Sequence, residues 1–112
     1  MMKVIVESPF AGGFNNVKYS RECLRDCLDR GESPYASHLL YTQKGVLDDN
    51  VPTERARGME AAEEWLKVAD YVVVYCDLGL SPGMARGILR ARQHDKVVKF
   101  RWIKADPKRE VE

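Results

Sequence analysis

The 112-residue chain is poor in the residues that staple small proteins: it has three cysteines and two histidines. Cys23, Cys27 and Cys76 are odd in number, the first two lack CxxC spacing, and His38 and His94 stand apart. Neither a disulfide framework nor a metal site is therefore expected. No apolar run approaches the roughly 18 residues of a membrane span. The stretch from Met1 to Glu7 is too short for a signal peptide, so a cytoplasmic protein without a membrane partner is expected. Gly12-Gly13 is not followed by Gly-Lys-Ser/Thr, which excludes a P-loop. Repeats and low-complexity segments are absent.

What is present fits one globular domain: 45% hydrophobic and 31% charged residues over 112 positions. The net charge of +1 is unevenly spread. Arg86 to Arg109 holds nine basic and two acidic residues, whereas residues 1–85 hold nine basic and thirteen acidic. A basic end of this kind suits a nucleic-acid accessory protein. A solvated helix face and an edge strand guarded by lysines account for it more plainly, and nucleic acid is not the expected partner.

The hydrophobic pattern alternates between strand and helix. Lys3-Val4-Ile5-Val6 reads as a buried strand. A glycine-containing loop follows, then a helix over about Val17–Arg30 that presents Val17, Leu24, Cys27 and Leu28 and stops at Gly31. Tyr35–Tyr41 reads as a second strand. A second helix, about Thr53–Ala69, carries an apolar stripe of Met59, Ala62, Trp65, Leu66 and Ala69. Tyr71-Val72-Val73-Val74-Tyr75 is β-branched and does not alternate, as in the middle of a parallel sheet. Ser81 and Pro82 look like the cap and first residue of a third helix ending near Gln93, with Ala85, Ile88 and Leu89 inward. Lys96–Trp102 reads as an edge strand. These parts predict an α/β fold: a small parallel four-stranded Rossmann-like sheet, order 2-1-3-4, with three helices. Residues 1–105 form the domain and 106–112 a charged, frayed tail.

In such a sheet ligands bind beyond the carboxyl ends of the strands, where the strand order reverses. That rule selects three loops: residues 7–16, 41–54 and 76–84. Glu7 ends the first strand, where a carboxylate suits a ribose hydroxyl or acid–base work. Asp77 ends the third strand. The segment Ser81-Pro82-Gly83-Met84 opens a helix whose free N–H groups favour an anion. His38 is read as a satisfied histidine within the second strand, Trp65 and Trp102 as core, and Cys76 as unreactive.

The order of parts resembles the nucleoside 2-deoxyribosyltransferase-like superfamily. The likeness lies in the Ser8-Pro9-Phe10 loop, the acidic loop before the middle helix, the run Ala69–Asp77 and the glycine-containing helix start. Ala36–Gln43 and Gly83–Ile88 are similar to its small uncharacterised domains, common in phage and prophage genomes. The resemblance implies a nucleoside in the crevice, with Asp77 holding it. It also implies a homo-oligomer in which a neighbour completes the site, and a bacterial host cytoplasm. The transferases attack the sugar with a glutamate four residues after the glycine of the helix start; here that position is Gly87.

Three functions follow as expectations. The first is a phage-derived protein that binds a nucleoside or nucleotide, or sequesters a nucleotide signal such as a cyclic ADP-ribose isomer. The second is an N-glycosidase or deoxyribosyltransferase-like enzyme with a relocated carboxylate from among Glu7, Asp49 and Glu54, Glu7 being the catalytic candidate. The third is a nucleic-acid accessory protein. In both leading readings Glu7, Ser8, Asn15 and Tyr41 contact base or sugar, Asp77 holds ribose hydroxyls, Ser81 and Gly83 meet phosphate or another polar group at the helix end, and Pro9, Phe10 and Met84 also line the site. No cofactor is expected.

Overall fold

The run Tyr71–Tyr75 is buried at all five positions and forms the middle of the sheet. The computed structural model describes residues 1–10, 14–105 and 109–112. The elements run β1 (Lys3–Glu7), α1 (Phe14–Asp29), β2 (Ser33–Tyr35), α2 (Ser37–Tyr41), α3 (Pro52–Val68), β3 (Tyr71–Tyr75), α4 (Pro82–Gln93), β4 (Val97–Trp102) and β5 (Arg109–Val111). The sheet order is β2-β1-β3-β4-β5. The first four strands are parallel and β5 runs antiparallel to β4. The expected order 2-1-3-4 is thus present, extended by one strand.

Alternation along the strands sorts the core into two layers. Val4, Val6, Tyr71, Val73 and Tyr75 meet Tyr19, Cys23 and Cys27 of α1. Val72, Val74 and Val98 meet Leu66 of α3 and Met84, Ile88 and Ala91 of α4.

Several expectations are corrected. There are five strands and four helices among the described residues, not four and three. The expected strand at 35–41 is a three-residue strand followed by the short helix α2, so His38 is helical. A seven-residue apolar stretch is ambiguous in period. Here Leu39 and Leu40 N–H both donate to the Ala36 carbonyl, closing a helical turn. On α1 the buried side is Tyr19, Ser20, Cys23, Asp26 and Cys27, while Leu28 is exposed. On α4 it is Met84, Gly87, Ile88 and Ala91, with Leu89 exposed. Of the expected stripe Leu66 and, just past the end of α3, Ala69 are buried, whereas Met59 and Ala62 border a cavity. Trp65 is half exposed, tilts on Tyr35 and donates its indole N–H to the Tyr41 hydroxyl at 3.1 Å.

The segment expected to fray contains β5, which pairs Phe100 with Val111, Arg101 with Glu110 and Trp102 with Arg109. The reason lies in Arg101, which is 2% exposed. Its two terminal nitrogens donate to the two Glu32 oxygens at 2.7 Å, and its Nε donates to Glu110 at 2.5 Å. The Tyr71 hydroxyl also donates to Glu32. The Tyr75 hydroxyl donates to Asp26 at 2.7 Å and accepts from Arg101 at 3.2 Å. The guanidinium and the Tyr71 hydroxyl outweigh the burial of Glu32 and hold its carboxyl below the ordinary value.

Removing one member of such a pair strands a buried charge, which costs about 3–5 kcal/mol, whereas a partly exposed pair is worth about 1 kcal/mol or less. Urea unfolding of Glu32→Gln is therefore expected to show a loss of roughly 3 kcal/mol, against less than about 1 kcal/mol for Glu110→Gln. Equal losses would contradict this assignment. Because the native Glu32 pKa is depressed, its contribution is present above the unfolded pKa and disappears as pH falls through the native one.

Candidate functional site

Ile5, Glu7 and Val72 point to the α3/α4 side of the sheet and form the floor of a cavity of about 400 Å³. It opens at the carboxyl end of β1, where the chain reverses from β1–β2 to β1–β3, the place the sheet order predicts. Ser8 and Phe10 bring in the loop after β1, and Ser37, His38 and Tyr41 bring in α2. The α3 wall presents Gly58, Met59, Ala62 and Glu63, and the α4 wall Ser81, Gly83, Met84, Arg86, Gly87 and Arg90. The volume falls within the usual range for small-molecule sites, about 300–1,000 Å³.

Glu7 is the last residue of β1, level with Val74 of β3. Its carboxylate lies against the α4 backbone at Gly87. A Cβ at position 87 would stand 2.6 Å from Glu7 Cδ and 2.7 Å from each carboxylate oxygen. The glycine is therefore what makes room for the acid. Among the described residues no donor bonds to Glu7. Burial pushes its carboxyl up to about 7, against a smaller opposing pull from Arg90. Glu7 is partly buried, and a desolvated acid without hydrogen-bond partners costs stability; such groups cluster at functional sites.

Ser8, an expected site residue, belongs to a second polar group whose other members, Ser20 and His38, were not selected from the sequence. The Ser8 and Ser20 hydroxyls are 2.7 Å apart, and each lies 3.2 Å from His38 Nε2. Phe10 packs edge-on to the imidazole at 5.1 Å. Burial lowers the His38 pKa to about 4 despite the field of Asp49, so the ring is neutral at pH 7. It offers hydrogen bonds and an aromatic face without charge.

At the opening of α4, Ser81 caps the helix: its hydroxyl accepts from Met84 N–H at 3.2 Å, and Pro82 follows as the first helical residue. That local arrangement was legible in the sequence.

Of the expected site residues, Glu7, Ser8, Phe10, Tyr41, Ser81, Gly83 and Met84 come together around the cavity. Three do not. Asn15 is exposed on the first turn of α1 and does not border the cavity. Pro9 is buried, and its carbonyl accepts from Ser20 at 3.4 Å. Asp77 lies outside the lining. Its Oδ1 accepts from the Tyr19 hydroxyl at 2.7 Å and Ile103 N–H at 2.9 Å, and its Oδ2 accepts from Lys104 N–H at 3.1 Å. These donors outweigh the burial and hold the carboxyl below its ordinary value. Asp77 fastens the end of β4 to the end of β3. Gly12 and Gly13 lie outside the described residues. Of the residues missed, His38 and Arg86 lie in the runs Ala36–Gln43 and Gly83–Ile88 but were given no part in the site, and Arg90 lies outside both; reading 37–41 as a helix is what would have turned His38 toward the site.

Among the described residues no group of three or more potential ligands is placed to hold a metal ion, and no helix is long and apolar enough to cross a membrane.

The fold is similar to that of a solved 2-deoxyribosyltransferase from the psychrotolerant bacterium Bacillus psychrosaccharolyticus. The TM-score is 0.68, at 18% identity, over 86% of this chain and 69% of that one. At that identity the likeness is one of fold. No curated protein matches the sequence. A family model matches residues 2–101, and the chain belongs to that family, described as "Domain of unknown function (DUF7768)".

Proposed function

We propose that the cavity binds a nucleoside-type ligand, a base joined to a sugar, and that Glu7 supplies the carboxylate for cleavage of the bond between them. One observation carries this reading. Gly87 is the position at which the resemblance places the transferases' attacking glutamate, and the Glu7 carboxylate occupies the space where a side chain at 87 would begin. The acid is delivered from the neighbouring strand instead of the helix.

The chemistry follows from the environment of the acid. A carboxyl titrating near 7 is about half ionised at neutral pH, and its anion is more basic than that of an ordinary glutamate. In the proposed reaction a Glu7 oxygen bonds to the anomeric carbon while the C–N bond breaks and its electron pair leaves with the base. Water then releases the sugar; over both steps it gives hydroxyl to the sugar and a proton to the base. An alcohol or second base in place of water makes the reaction a transfer. Neutral His38 and the aromatic faces of Phe10 and Tyr41 suit the base end.

A second reading keeps the ligand intact. Asp77, which the resemblance assigns to holding the ligand, is saturated by structural bonds. That sets the site apart from the transferases and supports a binder; its phage origin and its ligand, a nucleotide-type signal such as a cyclic ADP-ribose isomer, rest on the resemblance. In either case a homo-oligomer is proposed by resemblance, and a monomer by light scattering would remove that part.

Chromatography decides between cleavage and sequestration. The protein is incubated with a panel of nucleosides, nucleotides and cyclic ADP-ribose isomers and filtered, and the filtrate and denatured protein are analysed. Free base is expected, rising with pH through an apparent pKa near 7, and lost by a factor of about 10³ or more in Glu7→Gln. Ligand recovered intact from the denatured protein would establish sequestration instead.

Gly87→Ala separates function from stability. Alanine gains about 1 kcal/mol of helix propensity, while its methyl must displace the far end of the Glu7 side chain. Melting temperature is expected to hold or rise while base release falls at least tenfold.

The raised pKa also fixes a sign. Between the unfolded value near 4.5 and the native value near 7 the folded state binds more protons, so this group lowers stability as pH rises across that window. Glu7→Gln is therefore expected to stabilise the protein at pH 8, by up to about 3 kcal/mol, and to change little at pH 4.5. Calorimetry at the two pH values checks this.

A further inference from the structure

Two of the three arginines that line the cavity, Arg86 and Arg90, lie on α4, and the third, Arg55, stands on α3 among the acids. The α4 sequence, PGMARGILRARQ, contains three arginines and no acid. Arg86 and Arg90, four residues apart and so on one helix face, both line the cavity. The acids of the lining, apart from Glu7 on the floor, come from the loop before α3 and from α3 itself: Asp49, Glu54 and Glu63. Two of these three have hydrogen-bond partners. Glu63 pairs with His94 at 2.9 Å, and Glu54 accepts from Asp48 N–H at 3.2 Å.

The two arginines have no such partner. Among the described residues neither Arg86 nor Arg90 forms an ion pair. Like charges at this spacing destabilise a helix by about 0.2–0.5 kcal/mol; Arg90 lies in the field of Glu7 and Glu63 without an ion pair to either. Their placement is also directional. Helical side chains lean toward the helix N-terminus, and Arg86 Nη2 lies 3.8 Å from where a Cβ of Gly83 would stand, beside Ser81 Oγ at the same distance. One guanidinium is therefore held about one turn before Gly87. The Glu7 carboxylate sits at the level of Gly87, about 6 Å along the axis from Gly83. That separation matches the reach across a sugar ring from its anomeric carbon to a phosphate on its 5′ carbon.

We infer that the ligand is a nucleoside monophosphate, and that its phosphate rests on the α4 wall, received by Arg86 and Arg90. This rests on the nucleoside reading above and narrows it. A neutral nucleoside leaves both guanidiniums without an ion-pair partner, whereas a phosphate gives them charge-assisted hydrogen bonds, and the acids on the facing wall take the hydroxyl and amino donors of sugar and base. The protonatable Glu7 carboxyl lets an anion approach the same wall with less repulsion than a fixed carboxylate would.

The test is calorimetric titration of the full chain with the common 2′-deoxynucleosides and, in parallel, their 5′-monophosphates. For at least one base the monophosphate is expected to bind ten-fold or more tightly than the nucleoside, with the advantage shrinking as salt is raised. Arg86→Gln and the double change Arg86→Gln/Arg90→Gln are expected to remove that advantage. Arg92→Gln, an exposed position on α4 that does not border the cavity, is expected to keep it, which controls for net charge. Nucleosides binding as tightly as their monophosphates would overturn the inference and leave the nucleoside reading standing. Binding of neither series would overturn both. A phosphate advantage that survives the double change with the melting temperature intact would overturn the assignment to the α4 wall.

Discussion

The buried pairing of Arg101 with Glu32 is the contact on which the arrangement of the sheet turns. Arg101 belongs to β4 and Glu32 immediately precedes β2, so the bond passes across β1 and β3 beneath the sheet. Tyr71 and Tyr75 of the middle strand donate into the same network, and Asp26 and Cys27 join it from α1. A network of this kind is stable only when every member is satisfied, because low dielectric strengthens its bonds and raises the cost of any orphan. Here the satisfaction is nearly complete, and it commits one face of the sheet to structure. The opposite face, under α3 and α4, is where the cavity forms.

Glu7 and Asp77 show how environment divides labour between two similar carboxylates. Both lie at the carboxyl ends of strands, on β1 and just beyond β3. Asp77 receives one hydroxyl and two backbone donors and behaves as a structural staple. Glu7 receives none among the described residues and sits over a glycine. The first is held ionised, the second near half protonation. Carboxyls perturbed in the second way cluster at functional sites.

Much of this was legible before the structure. The β-branched run of β3, the Ser81-Pro82 start of α4 and the reversal of strand order were all readable, because each is written in local pattern or follows from chain connectivity. The crevice and most of its lining follow from that reversal. Less was legible where a long-range partner decides the outcome. Residues 37–41 have a period that suits either helix or strand. Residues 109–111 look like a charged tail, and become a strand because Arg101 and Trp102 wait for Glu110 and Arg109 across the ladder. Asp77 and Glu7 were both expected at the ligand, since nothing in sequence shows that Tyr19, Ile103 and Lys104 converge on the first. Gly87 read as a lost acid, whereas in space it is the seat of another one.

The pairing of β5 with β4 has a consequence for how copies of this chain can meet. A bare β4 would offer six residues of unpaired backbone as a template for adding strands. With β5 in place the sheet ends on two three-residue strands, one of them interrupted by Pro34, which has no N–H to give. Open-ended growth through the sheet is closed off at both sides. Association is left to the helical faces, where half-exposed Trp65 and Leu89 sit on α3 and α4, the two elements that wall the cavity. Any partner that docks there borders the mouth of the cavity.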